Sequence, residues 1–140
     1  MSADATLEAL QRTLAGEHAA VFVYGALGAR TSRSAAPLAY ARITDAYLVH
    51  QERRDALLAM IDAAGGTPEA PEPGYRLGDL GDAAAIDARA RELEQAAAAS
   101  YAFLVANSTE RTRRWAIDAL LDAGVRSLEF GGRPQTLPGL

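Results

Sequence analysis

The chain has 140 residues with 18 acidic and 14 basic side chains, a net charge of −4, which bounds it to one domain and argues against a nucleic-acid binder. It contains no cysteine, so disulfides, thiolate metal sites and cysteine nucleophiles are excluded. The start MSADATLEALQR has no basic segment followed by an apolar run, and no apolar stretch approaches the ~20 residues of a membrane span, so the expectation is a cytoplasmic protein with no membrane contact.

Alanine dominates the apolar fraction, aromatics make up only 6% of the chain and lysine is absent. That composition favours closely packed helices over a sheet. The first predicted helix runs from about Asp4 to Ala29, with Leu7, Leu10, Leu14, Val21 and Tyr24 at helical spacing. The segment TSRSAAP interrupts it, and Pro37 suits the first turn of a second helix that carries Tyr40, Ile43, Tyr47, Leu57 and Ile61. Gly65 and Gly66 stop that helix. Residues 65–82 hold Pro68, Pro71 and Pro73 and cannot be helical throughout.

A third helix follows the N-cap Asp82 and reaches about Ala106. Asn107, Ser108 and Thr109 form a short turn and cap a fourth helix ending at Gly131-Gly132, with an irregular tail over 131–140. Short links between helices one and two and between three and four make two antiparallel hairpins. The 18-residue link between the hairpins can extend about 60 Å, against about 38 Å for a 25-residue helix. It is predicted to run the length of the bundle and start the third helix beside the start of the first. The fold class is therefore all-α, a single four-helix bundle with one long crossover.

A Glu followed seven residues later by a Tyr occurs twice, as Glu17/Tyr24 and Glu94/Tyr101. Two helical turns place each Glu under its Tyr on one otherwise apolar face, where a carboxylate is costly unless compensated. Heptad steps give interior rows of Glu17, Val21 and Tyr24 on helix one, and of Tyr47, His50, Arg54 and Leu57 on helix two. On helix three they give Glu94, Ala97 and Tyr101, and on helix four Asp118, Leu121, Val125 and Leu128, with Asp122 on the flank. Counting outward from the turns brings Glu17, His50, Glu94 and Asp118 or Asp122 to one level. Carboxylates with imidazole in a bundle core are how di-iron and di-manganese carboxylate proteins are built.

In the segments EHAAVFVYG (17–25), HQERRD (50–55), PEPGY (71–75) and ELEQAAAASY (92–101) the chain resembles the ferritin-like superfamily, with Glu-x6-Tyr pairs like those of rubrerythrins and bacterioferritins. It is most similar to ferritin-like domains of unknown function from GC-rich bacteria. The resemblance covers nearly the whole chain and implies the fold, but no activity. Metal-binding members place a lone Glu on helices one and three and Glu-x-x-His on helices two and four. Glu17 and Glu94 match the lone positions and His50 matches one His. Tyr47 stands where the helix-two Glu is expected, and Leu121 stands three residues after Asp118 where a His is expected.

Arg54, one turn from His50, is expected to neutralise Glu17 and Glu94 through bidentate hydrogen bonds, competing with cations for the same space. Tyr24 and Tyr101 are expected to cap the carboxylates, and His18 to sit at a helix seam beside this central polar network. The resulting expectation is a non-catalytic binding or structural module with a degenerate di-metal centre and no cofactor. An iron- or manganese-dependent oxidoreductase or iron-handling protein is the alternative. A homodimer is expected, with Gly16, Gly25, Gly28 and Gly124 permitting close helix approach, and no substrate is legible.

Overall fold

The computed structural model describes residues 2–140, which form four helices: α1 (Ala3–Ala29), α2 (Pro37–Ala63), α3 (Ala83–Ala106) and α4 (Glu110–Glu129). Their starts follow local chemistry. The Ser2 hydroxyl accepts from the Ala5 amide at 3.1 Å, and the Asp82 carboxylate accepts from Ala85 at 2.8 Å, each satisfying an otherwise orphaned first-turn donor. Pro37 opens α2 with its fixed φ. Gly65, at φ 82°, takes the left-handed conformation that ends α2. Thr109 caps α4 without a side-chain bond, and Glu110 is left at φ 50°. Among the described residues no helix is long and apolar enough to cross a membrane.

The chain adopts an all-α four-helix arrangement, two antiparallel hairpins joined by a long crossover. The crossover follows α1 along its length. Gln11 binds Thr67 and Glu69, His18 Nε2 meets the Glu69 carbonyl at 3.0 Å, and the Phe22 and Tyr75 rings pack at 5.5 Å. Arg89 then donates to the carbonyls of Leu77 and Arg76, and Leu80 enters the core beside Ile86.

This route corrects one expectation. The third helix starts beside the end of α1, not beside its start. α2 finishes where α1 begins, so a crossover spanning the bundle must deliver α3 to the opposite end. Helices α1 and α3 are consequently antiparallel, and Thr6 near the start of α1 donates to the Asn107 carbonyl after α3 at 2.6 Å.

Two apolar clusters fill the bundle, one on each side of a polar layer. Val23, Leu27, Ile43, Ile86 and Phe130 belong to the first, and Leu10, Leu14, Leu57, Ile61 and Leu104 to the second. Between them Glu17, His50 and Glu94 are essentially fully buried. Burying such residues in an apolar setting is unfavourable unless their polar atoms are paired.

The inner row of α4 differs from the predicted one. Ala116, Ala119, Ala123, Arg126 and Ser127 face the core, while Leu121, Val125 and Leu128 are exposed at 55%, 62% and 40%. Asp118 is also exposed. Both stripes have helical spacing, and the core takes the small side chains because α4 packs closely on α3. Gly124 is contacted by Pro138 of the tail, which lies where a Cβ would meet it at 3.1 Å. That helical glycine accommodates the tail, not a neighbouring helix.

Candidate polar centre

The two Glu-x6-Tyr repeats interlock across the bundle. Within one helix the seven-residue spacing separates Glu from Tyr by about 10 Å, too far for a hydrogen bond. Because α1 and α3 run antiparallel, the Tyr of each helix instead reaches the Glu of the other. Tyr101 OH donates to Glu17 Oε1 at 2.8 Å, and Tyr24 OH donates to Glu94 Oε2. Each tyrosine therefore caps the carboxylate of the facing helix.

His50 joins the two halves. Its Nδ1 lies 2.5 Å from Glu17 Oε2 and its Nε2 lies 2.8 Å from Glu94 Oε2. An ionised carboxylate only accepts, so an imidazole with both nitrogens on carboxylates is the doubly protonated cation. Desolvation by burial lowers the His50 pKa, but Glu17 and Glu94 outweigh it through charge and hydrogen bonds and hold it raised to about 9. The Tyr24 ring stacks on the imidazole with centroids 5.3 Å apart. Burial, then the neighbouring carboxylates, push the phenols of Tyr24 and Tyr101 well above their usual range, so both remain donors.

Arg54 is not part of this centre. It pairs with the exposed Asp55 at 3.0 Å, and the inward arginine is its neighbour Arg53. Arg53 donates to Asp122 at 2.7 Å and lies over the Tyr101 ring, 5.5 Å from its centroid. The inner row of α2 runs Ile43, Ala46, His50, Arg53, Leu57 and Ile61. The step before His50 is thus four residues and the step after it three, where the predicted row has three before and four after.

Asp122 is an outer group. It binds Arg53 and Arg126, and Arg126 also donates to Asp45 at 2.7 Å. Burial tends to raise the Asp122 pKa, but the two guanidiniums override it and hold the carboxyl below the ordinary range. This ladder of ion pairs spans α2 and α4.

The remaining candidates are placed apart. His18 is turned to the crossover through its bond to Glu69. Tyr47 is half-buried against Gly25 and lines an outer groove between α1 and α2 with Tyr40. Asp118 is exposed beside Trp115 and Glu52. The structure thus brings together Glu17, His50, Glu94, Tyr24 and Tyr101, and leaves His18, Tyr47, Arg54, Asp118 and Asp122 outside. Arg53 and Arg126 are the residues that sequence reasoning missed. The adjacent Arg-Arg pair was a visible signal for one of them.

The residues do not fit a pair of metal ions. A ligating imidazole offers one ring nitrogen, and both nitrogens of His50 are already engaged by carboxylates, with the ring lying between Glu17 and Glu94. α4 supplies Ala119 and Ala123 to the inner face, not donors. Among the described residues no group of three or more His, Asp and Glu side chains is arranged to hold a metal ion. One buried carboxylate oxygen, Glu94 Oε1, has no hydrogen-bond partner.

The family described as "Domain of unknown function (DUF4439)" matches residues 9–140. Among solved structures, a conserved hypothetical protein from Mycobacterium tuberculosis is similar at 28% identity and a TM-score of 0.85, over 93% of this chain and 97% of that one. A structure titled as ferritin-like, diiron-carboxylate proteins from Bacillus anthracis is similar at 20% identity and a TM-score of 0.82, over 93% of this chain and 96% of that one. That likeness shows the fold. No curated protein matches the chain.

Proposed function

Since the chain belongs to the DUF4439 family of ferritin-like domains, we propose that it is a non-catalytic binding or structural module in which a protein-only ionic layer stands in place of a di-metal centre. The observation carrying this reading is His50, which sits between Glu17 and Glu94 with both ring nitrogens engaged. The imidazolium supplies positive charge where cations would otherwise neutralise the carboxylates, and the two phenols complete their hydrogen bonding. In this reading the centre is degenerate with respect to metal, its role is to hold the four helices in register, and the protein is a cytoplasmic homodimer.

The competing reading is a di-iron or di-manganese carboxylate oxidoreductase or an iron-handling protein. It is favoured by the unpartnered Glu94 Oε1 and by the printed title of the Bacillus anthracis neighbour. It would require His50 to give up its protons and one carboxylate.

Elemental analysis of protein produced with iron or manganese supplied separates the two. The proposal expects well below one metal per chain, with unfolding unaffected by a chelator. Near two metals per chain, lost on Glu17→Ala, would overturn it.

A further inference from the structure

Helix α4 carries two stripes, and the core uses the less apolar one. Its buried face is Ala116, Ala119, Ala123, Arg126 and Ser127, while Ile117, Leu121, Val125 and Leu128 stand outside at 37%, 55%, 62% and 40% exposure. At 100° per residue these four lie within about 40° of one line, opposite the core, and span about 16 Å. Steps of four, four and three are those of a helix-packing row. A contiguous exposed apolar patch of this kind marks an interaction site, whereas scattered exposed leucines do not. Pro134 and Pro138 of the tail form one wall of a groove whose other wall is Leu121, Val125 and Leu128.

The charges at the ends of the row identify the occupant. Arg114, on the line of the stripe at its N-terminal end, and Glu129, flanking its C-terminal end, are both exposed, and among the described residues no ion pair engages either. If a second α4 lies antiparallel about a centre between Leu121 and Asp122, Arg114 reaches the level of the partner copy's Glu129. A two-fold axis repeats this match, as an isologous interface requires. A parallel pairing would set Arg114 against its own copy.

We propose that α4 is the contact helix of an isologous homodimer, packed antiparallel on α4 of a second copy through Ile117, Leu121, Val125 and Leu128, with Arg114 and Glu129 fixing direction and register. This rests on the homodimer reading above and adds the face, the direction and the residues. The polar layer is untouched by it, because the stripe lies on the far side of α4.

Light scattering on the full chain across a concentration series tests the interface. Wild type is expected at twice the 14.8 kDa of one chain. Leu121→Glu should give one chain's mass with unchanged helical circular dichroism, since that side chain is already exposed. Arg114→Glu should weaken dimerisation about tenfold, because like charges then meet at both ends. Adding Glu129→Arg should restore it, a result that loss of folding cannot mimic. A wild-type monomer at every concentration overturns the homodimer reading and this interface together. A wild-type dimer indifferent to Leu121→Glu overturns the interface alone. Failure of the charge swap to restore the dimer overturns the antiparallel register.

Discussion

The ionic layer makes stability depend on alkaline pH through one residue. His50 has an ordinary pKa of 6.5 and is held at about 9 in the fold. The folded chain keeps this proton up to about pH 9, while the unfolded chain releases it near 6.5. Between those values the native state therefore binds more protons than the unfolded state, and stability falls as pH rises. The contribution is complete below pH 6.5 and gone above about 9. A shift of roughly 2.5 units at 1.36 kcal/mol each gives a loss on the order of 3 kcal/mol. His50 has no exposed surface, so solvent screening removes little of it. Urea unfolding at constant ionic strength, from pH 6 to pH 9.5, measures the effect as a falling midpoint at constant slope. His50→Gln removes the titrating group and should flatten the profile in this window, while lowering stability at pH 6 by about 3–5 kcal/mol because two buried carboxylates lose their cation. A wild-type midpoint that stays flat from 6.5 to 9, or an equal fall in His50→Gln, would refute the imidazolium assignment.

Two further perturbations test the surroundings of the layer. Tyr24→Phe and Tyr101→Phe each remove a donor to a buried carboxylate and should cost about 1–3 kcal/mol. The double variant should depart from the sum, since Glu17 and Glu94 are coupled through His50; urea midpoints that move by less than about 0.5 kcal/mol for both single variants would exclude these hydrogen bonds. Arg53→Ala should cost about 2 kcal/mol through its lost pairing with Asp122 and its lost cover over Tyr101. Arg54→Ala should stay within about 0.5 kcal/mol, as its partner is the exposed Asp55; thermal melts that reverse this order would put the wrong arginine inside.

The helices were legible because their signals are local. Pro37, Asp82 and the glycines at 65 and 131 act within a turn of their own positions. The crossover was legible from its prolines and its length. The burial of Glu17, His50 and Glu94 was legible too, since each interrupts an apolar row. The interior of α2 was misassigned by one residue at Arg53, because a helix turns 100° per residue and neighbouring positions near a packing face differ little in pattern. Helix α4 was misassigned altogether. Its sequence has a strongly apolar row and a small-residue row, and hydrophobicity alone selects the former for the core.

The sequence by itself determined four helices, one long crossover and three polar side chains sunk among apolar ones, because periodicity, caps and breakers are properties of consecutive residues. Only the tertiary structure decided which tyrosine serves which glutamate, which of two adjacent arginines turns inward and which stripe of α4 meets the core. Each depends on the relative direction and distance of helices far apart in the chain. The exchange of Tyr24 and Tyr101 between Glu94 and Glu17 follows from one such fact: α1 and α3 run in opposite directions.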